Sequence, residues 1–378
     1  MQWAQVQANI DALVREWQAE QSERLGRQAL DPEDFARLHE AGLTLTGMPV
    51  ERGGLWRDAA STMMQIGGVL RRLGRVDPSL ALVCSMHPTV LSFWLLEPES
   101  APSAPSSWAA QREQVFGSVA DGHWFGTIAS EPGVGGDIMA TKARAVPDGG
   151  DGWLLTGDKH MGSGSGVTSF MITIAVPEGE EAPELFLIDT RGLPWDGSQG
   201  AFLVRAWDGH GMAATQSHAF RFEGLAVERH AHGHALELAP QAMPIAFYAF
   251  TSAVMGVLDA ALAEARRRLE PRKETLSAFE RVSWTKAVND IWLANQAFEG
   301  MGRALAEGRA MPAVSRGKLA VSELAEAAML GLSKAIGGAS FSRSSPFGQW
   351  AQDVRALGFL RPPWPLAYDA LFEASFAD

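Results

Sequence analysis

Cysteine and positive charge are both scarce in this chain of 378 residues. Cys84 is the only cysteine, which excludes an intrachain disulfide and a zinc site built from several thiolates. It lies in the apolar stretch Ala81–Cys84, so we expect a buried small hydrophobic residue. The formal net charge is −12, and the most basic run, Arg266–Arg268, is too short for a nucleic-acid surface. The sequence therefore predicts no nucleic-acid partner.

Long apolar runs and an N-terminal targeting signal are also lacking. Residues Met1–Gln5 have neither the charged start nor the apolar run of a signal peptide. No segment reaches the ~20 consecutive apolar residues of a membrane helix. We therefore expect a cytoplasmic protein without membrane association.

The order of the sequence patterns predicts an α+β protein of three domains, as the chain length allows. Residues 1–118 have helical patterns and are expected to form an N-terminal helical domain. Residues 119–235 contain short β-forming runs between turn residues, which indicates a central β-sandwich or barrel. Residues 236–378 return to helical patterns and predict a C-terminal helical bundle.

Two helix starts are marked in the N-terminal region. Asp31–Pro32 and Asp77–Pro78 each combine a capping carboxylate with a proline suited to the first helical turn. Between them, apolar residues at positions 66, 70 and 73 have helical spacing. The Pro- and Ser-rich segment Pro98–Ser107 is predicted to be a surface loop.

The remaining elements follow from β-forming runs and long apolar helices. Asp148–Gly150 is a candidate hairpin turn. The predicted strands are Trp124–Ala129, Gly152–Thr156, Phe170–Val176, Glu184–Ile188 and His218–Phe222. The predicted long helices are Ile245–Leu269, Phe279–Leu305 and Met311–Ile336, with two shorter helices separated near Arg361–Pro363. His230–His234 has the residue density of a metal site, but an exposed interdomain linker is the favoured interpretation, and no metal is expected.

Four segments in this order resemble the acyl-CoA dehydrogenase superfamily. Ala129–Asp137 is similar to its Thr-Glu-Pro-Gly-x-Gly-Ser-Asp signature, and Leu155–Gly164 to its Gly-x-Lys-x-Trp-x-Thr-x-Gly segment. Gly211–Val227 resembles the strand that closes the family's β-domain. Leu38–Gly54 resembles a helix and loop common near the N-terminus of members.

The resemblance implies a flavin, usually FAD, at the β-domain. Ile128, Ala129 and Ser130 would line the polar edge of the isoalloxazine ring, and the Ser163 hydroxyl would reach its reactive nitrogen. Met161 stands where the family usually has a tryptophan against the ring.

The resemblance also implies that the cofactor phosphates are bound across a subunit boundary, in a homodimer or homotetramer. Arg272 corresponds to the family's pyrophosphate-binding arginine, although the segment around it is shortened, so FMN is an alternative to FAD. Gly337 and Gly338 match the glycine pair that approaches the pyrophosphate. Lys334 stands where the family usually has a glutamine. It would either place a cation near the phosphates or lie in solvent at the end of a helix.

The family's catalytic carboxylate is missing from both places where members carry it. Gln352–Arg355 resembles the Arg-Asp stretch that precedes the base, and Arg361 lies at about the position of the glutamate. The alternative position falls near Ala246. Arginine stays protonated and cannot remove a substrate proton. His87, on a helix that borders the substrate cavity in relatives, is the replacement base that remains.

Three functions are therefore left open. The favoured one is oxidation of a CH–CH bond in an acyl-CoA or related substrate, with electron-transferring flavoprotein as a possible partner. The second is hydroxylation by an enzyme that receives reduced flavin from a separate reductase; such relatives commonly carry a histidine where Leu360 stands. The third is a non-catalytic binding protein on the same scaffold.

Overall fold

The computed structural model describes residues 1–96, 106–150, 152–233, 235–308 and 310–376. Within these ranges the chain forms eleven α-helices and seven strands, in the predicted order of helices, strands and helices. This confirms the predicted fold class. The limits of the three domains stay predictions. The helices are α1 (Trp3–Ala19), α2 (Gln21–Gly26), α3 (Pro32–Glu40), α4 (Ala59–Gly74), α5 (Pro78–Leu95), α6 (Ser106–Ala120), α7 (Ala239–Leu269), α8 (Ala278–Ala306), α9 (Ala310–Ile336), α10 (Phe347–Phe359) and α11 (Trp364–Ala374).

The two predicted helix starts are both formed. The Asp31 carboxylate accepts a hydrogen bond from the Glu33 N–H at 3.0 Å, and Asp77 accepts one from the Leu80 N–H at 2.9 Å. Each carboxylate satisfies an N–H that the first helical turn leaves unpaired. Most of the predicted loop Pro98–Ser107 lies outside the described residues, and α6 begins at Ser106.

The central strands close into a barrel. They are β1 (Phe125–Thr127), β2 (Arg144–Pro147), β3 (Trp153–Gly162), β4 (Phe170–Pro177), β5 (Glu184–Asp189), β6 (Ala201–Arg205) and β7 (His218–Arg229). The ring runs β4–β2–β3–β7–β5 and returns to β4, while β1 pairs with β4 and β6 with β7. The predicted turn Asp148–Gly150 joins β2 to β3, and the Asp148 carboxylate accepts from the Gly150 N–H at 2.7 Å.

The N-terminal and C-terminal helices share one apolar core. Val69 on α4, Val83 on α5 and Val254 on α7 belong to the same buried cluster. Two glycines let α4 and α7 approach each other: a Cβ at Gly74 would lie 2.2 Å from the Ala253 carbonyl oxygen, and Gly256 is equally close to α4. Any larger residue would separate these helices.

Two helices are more apolar than the sequence analysis predicted. Pro78–Leu95 and a stretch within 235–275 are long and apolar enough to cross a membrane, judged by length and composition alone. Within the fold, 94% and 89% of the apolar 18-residue stretches of these two helices are buried, as in the core helices of globular proteins. Cys84, on the first of them, is buried as predicted, and burial raises the pKa of its thiol.

The interpretation of His230–His234 as an exposed linker is wrong for the two histidines that the structure describes. His230 and His232 are buried, and the His230 ring packs between Trp94 and Trp108 with centroid distances of 4.7 and 5.0 Å. Burial lowers the pKa of His230 to about 4, so this histidine is neutral packing material near pH 7. His234 lies outside the described residues.

A buried carboxyl group joins the barrel to the C-terminal helices. Asp353 on α10 accepts a hydrogen bond from the Met212 N–H at 2.7 Å and another from Gln349 at 3.0 Å. Its second carboxyl oxygen has no partner among the described residues. Burial raises the pKa of Asp353 to about 7, and the nearby carboxyl of Asp77 adds to the shift.

This joint predicts a pH-dependent stability. The fold favours protonated Asp353, so its contribution is complete below the unfolded pKa of about 4 and is lost as the pH rises through about 7. We expect the fall in unfolding free energy over this interval to be smaller in Asp353→Asn than in wild type, by roughly 2–4 kcal/mol. Urea unfolding at a series of pH values measures it. The exposed Asp369→Asn is the control, and equal slopes in all three proteins would contradict the expectation.

Candidate active site

A buried ion pair supports the turn that follows β1. Lys159 on β3 donates to the Glu131 carboxylate at 2.6 Å and to the Ile174 carbonyl at 2.6 Å. Glu131 also accepts from the Thr141 hydroxyl and from the Lys142 N–H. Burial raises the pKa of Glu131, but the hydrogen bonds from Lys159 and Thr141 outweigh it and leave the pKa lowered. The carboxylate is therefore a structural group that supports this turn.

The ion pair fixes the two segments predicted to contact the flavin ring. Directly beside Glu131, the Ser130 carbonyl accepts from the His160 N–H at 2.8 Å, which joins the turn to the end of β3. Ile128 lies deeper, because its N–H donates to Ile172 at 2.9 Å and its carbonyl accepts from Thr173 at 2.6 Å. The peptide groups of Ile128 are thus engaged inside the barrel. Ala129 and Ser130 are the better candidates for the edge of a ring.

Met161 departs from the strand pattern of β3. Its φ of 56° lies in the left-handed region, which residues other than glycine rarely adopt. Strand alternation would turn it inward with Leu155 and Lys159, yet its apolar side chain is 52% exposed. Unusual backbone conformations concentrate at functional sites. The side chain is therefore available as an apolar wall for a flat ligand.

Ser163 begins a chain of three buried hydroxyl groups. Its Oγ lies 2.7 Å from the Ser217 Oγ, which lies 2.7 Å from the Thr215 Oγ1. Thr215 in turn can donate to the Met212 carbonyl at 2.8 Å. Because each hydroxyl carries one proton, Ser163 has a proton free for a ligand only when Ser217 donates toward it. Ser217 therefore helps to decide whether Ser163 acts as a donor.

The hydroxyl chain predicts the effect of removing Ser163. We expect Ser163→Ala to keep the fold and to weaken flavin binding by about 1 kcal/mol, since one hydrogen bond to the ring is lost. Flavin fluorescence titration measures the affinity, and Ser217→Ala is the matched variant, in which Ser163 loses a neighbour but keeps its hydroxyl. If Ser163→Ala leaves both flavin affinity and flavin reduction unchanged, Ser163 does not contact the ring.

His87 does not fit the role of a catalytic base. Its Nε2 lies 3.3 Å from the Thr44 carbonyl oxygen, and its Nδ1 accepts from the Phe125 N–H at 3.1 Å. Burial lowers its pKa to about 3, and its ring packs against Trp124. Both nitrogens are used to hold α5 to its neighbours, so the interpretation of His87 as a replacement base is corrected. The sequence could not reveal these backbone partners.

Arg361 lies on a loop between α10 and α11 that Lys318 holds in place. The Lys318 ammonium donates to the Leu360 carbonyl at 2.8 Å and to the Pro362 carbonyl at 2.9 Å, on either side of Arg361. It also lies 5.8 Å from the centre of the Phe247 ring, next to Ala246 on α7. Lys318 therefore connects the two segments in which relatives place their base, and neither Arg361 nor Ala246 is a carboxylate.

Lys318 is a site residue that the sequence analysis missed. It is 4% exposed, and burial lowers its pKa to about 7. One signal was available: Lys318 lies on the same helical stripe as the buried residues Val314, Val321 and Ala325. A lysine on an apolar stripe is rare without a specific partner, and here the partners are backbone carbonyls.

The predicted phosphate-binding residues come together at the end of α9. Arg272 donates to the Glu280 carboxylate at 2.7 Å and to the Ala335 carbonyl at 3.3 Å. Gly337 follows with a φ of 83°, and a Cβ at Gly337 or Gly338 would meet no atom of the described residues within 4 Å. The glycine backbone is therefore open to a ligand, whereas the charge of Arg272 is already balanced by Glu280. Lys334, one turn earlier, is exposed.

The residues at the barrel face fit a flavin ring. An isoalloxazine needs an apolar wall, a hydroxyl donor and backbone groups at its polar edge. Met161 supplies the first and Ser163 the second, while Ala129 and Ser130 follow β1 and reach the end of β3 through the hydrogen bond between Ser130 and His160. Among the described residues, no group of three His, Cys, Asp or Glu side chains is placed to hold a metal ion.

Comparison with known structures identifies this architecture. KijD3, solved with FMN and a dTDP-linked amino keto sugar, is 20% identical, with a TM-score of 0.81 over 98% of this chain and 93% of KijD3. The methanesulfinate monooxygenase MsuC from Pseudomonas fluorescens is 20% identical, with a TM-score of 0.75 over 98% of this chain and 96% of MsuC. The chain has the acyl-CoA dehydrogenase-like fold. At this level of identity the similarity establishes the fold alone.

Sequence comparison is less extensive. No family model matches the chain. The acryloyl-CoA reductase (NADH) of Anaerotignum propionicum is 28% identical over 160 residues, which are 42% of this chain and 37% of the reductase. The chain therefore matches little more than a third of that relative. The fold shared with the solved structures covers much more of the chain than this sequence match does.

Proposed function

We propose that this protein is an FMN-dependent monooxygenase that receives reduced flavin from a separate reductase. The observation that carries the proposal is Arg361, a permanently charged guanidinium where a dehydrogenase needs a carboxylate base. A protein of this fold that cannot remove an α-proton efficiently has little use as an acyl-CoA dehydrogenase. Oxygenation with externally supplied electrons does not require that base.

FMN is favoured over FAD for two reasons. The segment around Arg272 is shorter than in FAD-binding relatives, and the guanidinium is engaged by Glu280 and the end of α9. KijD3, with the same fold, was solved with FMN. Titration of the protein with FMN and with FAD, followed by flavin fluorescence, tests this part of the proposal. FMN should bind at least as tightly as FAD, whereas a protein that binds neither flavin would be a non-catalytic binding protein.

Each part of the site has a distinct task in this function. Bound reduced flavin would supply the electrons that activate oxygen. Met161 would pack on the ring, Ser163 would donate to its edge, and the Glu131–Lys159 pair would keep both in place. The buried Lys318 would keep the Arg361 loop closed over the site, which limits access of water to the reacting atoms.

Oxidoreduction of an acyl-CoA is the second candidate, and the partial match to acryloyl-CoA reductase favours it. Anaerobic addition of butyryl-CoA to the flavin-loaded protein distinguishes the two. Bleaching of the flavin absorbance within seconds would support the second candidate and contradict the monooxygenase. We expect the spectrum to persist, and product formation in air to require a flavin reductase and NADH.

We further propose that the protein is a homo-oligomer whose C-terminal helices form the interface. Large apolar side chains are exposed there: Phe279 is 64% exposed, Trp292 57% and Phe341 95%. Phe341 lies three residues after Gly338, so this surface adjoins the proposed phosphate site. Light scattering combined with flavin absorbance tests the proposal. A stable monomer fully loaded with flavin would contradict it.

A further inference from the structure

Among the residues that the structure describes, Arg361 differs from the other half-buried arginines in having no partner of opposite charge. Arg71 forms two hydrogen bonds with Asp259, at 2.6 and 2.7 Å, and Arg268 lies 2.7 Å from Glu264. Arg361 is partly buried as well, yet it has neither a hydrogen bond nor an ion pair within the described part of the chain. A guanidinium removed from water is normally compensated by a carboxylate or another anion.

The backbone on both sides of Arg361 is held in a fixed place. Lys318 binds the carbonyl groups on both sides of Arg361, and two prolines follow it in sequence. Trp364 then packs so closely on Gly358 that a Cβ there would lie 2.1 Å from the indole ring. Such a loop loses little conformational entropy when Arg361 binds a ligand, which is the condition for a preorganised recognition group.

The loop faces the barrel at the proposed ring site. Pro363 contacts Gly136, in the turn that contains Ser130, at 2.7 Å from the position a Cβ would take. Arg361 is also close enough to Lys159 to lower the pKa of that ammonium, in addition to the larger effect of burial. Since Lys159 lies two residues before Met161 on β3, we infer that the guanidinium lies near the boundary between this end of the barrel and the C-terminal helices, here called the crevice.

The charges around this crevice do not balance without a ligand. The Lys159 ammonium is compensated by Glu131, and burial favours the neutral form of Lys318. Within the described ranges Arg361 is left as an uncompensated cation, although the formal net charge of the protein is −12. Burial lowers its pKa to about 10, which leaves it protonated at neutral pH.

We propose that Arg361 is the specificity-determining residue of the site and binds an anionic oxygen group of the substrate, such as a carboxylate. A planar guanidinium forms two parallel hydrogen bonds with a group of this shape. The substrate class is therefore a small organic acid, oriented by its anionic end while another part of the molecule faces the ring. The inference rests on the proposed function, because that function makes the crevice the reaction site.

Three pairs of small probes test the proposal: acetate and acetamide, butyrate and butyramide, and benzoate and benzamide. The members of each pair have nearly the same shape and differ in charge. Binding to the FMN-loaded protein is measured by calorimetry. In wild type, at least one carboxylate should bind about 10-fold or more tightly than its amide, the usual gain from a charged hydrogen bond.

Arg361→Gln should abolish this preference, and Arg361→Lys should retain part of it. Arg355→Gln, which removes an exposed arginine from α10, is the matched control and should behave as wild type. Melting temperatures of all variants report whether they fold. The proposal is overturned if no carboxylate is preferred in wild type, or if the preference survives in a folded Arg361→Gln protein.

Two further outcomes separate this inference from the proposed function. If Arg361→Gln loses FMN affinity, the guanidinium binds the cofactor, so the substrate proposal is overturned while the monooxygenase proposal stands. If wild type binds no flavin, the monooxygenase proposal fails, and calorimetry on the flavin-free protein still decides whether Arg361 binds carboxylates.

Discussion

Replacement of Lys159 by methionine should lower the free energy of unfolding by about 3–5 kcal/mol, the usual cost of leaving one member of a buried ion pair without its partner. Lys159 is fully buried, and the Glu131 carboxylate it neutralises is 4% exposed. The substitution leaves that carboxylate charged in a site with little access to water. Urea unfolding measures the loss.

A second substitution at Glu131 should restore part of the stability lost in Lys159→Met. The double variant Lys159→Met with Glu131→Gln should regain part of the lost stability, because no charge is left without a partner and the amide oxygen, placed as Oε1, can still accept from Thr141 and from the Ala143 N–H. Lys142→Met, at an exposed lysine in the same region, is the control and should change stability little. Equal stabilities of Lys159→Met and Lys142→Met would show that the pair does not support the fold.

Arg361→Glu should convert the site toward acyl-CoA oxidation. Wild type lacks the carboxylate, and general-base catalysis contributes ~10²–10⁴-fold, so we expect flavin reduction by butyryl-CoA to be very slow. The introduced glutamate should raise the rate by at least about 10-fold if the thioester can enter. Anaerobic stopped-flow absorbance measures both proteins.

Arg361→Gln is the control for that gain, since it removes the charge without adding a base. Equal rates in the Glu and Gln variants would mean that the guanidinium acts only by obstruction. Reduction in wild type as fast as in the Glu variant would reveal an unrecognised base. The proposed alignment of this loop would then be wrong.

The sequence predicted the fold well where the signals were local. The Asp-Pro pairs at Asp31 and Asp77 determine helix starts through contacts within three residues, and both helices begin as expected. The glycine pair after α9 ends that helix for a similarly local reason. The short strands β2 and β6 were missed, because runs of four or five residues are too short to show a clear periodicity.

The site was predictable only in part, because its chemistry depends on contacts between distant segments. His87 was interpreted as a base because of its place on α5. In the structure its two ring nitrogens are occupied by backbone groups of Thr44 and Phe125. Glu131 and Lys159 are 28 residues apart, and no local sequence pattern predicts that they form an ion pair. Strand alternation accounts for the inward Lys159 in the structure, and it fails at Met161, where a left-handed backbone turns the side chain outward.

Incorporation of labelled oxygen tests the monooxygenase proposal most directly. The protein is incubated with FMN, NADH, a flavin reductase and ¹⁸O₂, together with methanesulfinate, benzoate or indole, and the products are analysed by mass spectrometry. The proposal predicts that one ¹⁸O atom enters at least one product, and that omission of either the protein or the reductase abolishes the label. Absence of label from every product, together with rapid anaerobic bleaching of the bound flavin by butyryl-CoA, would contradict it.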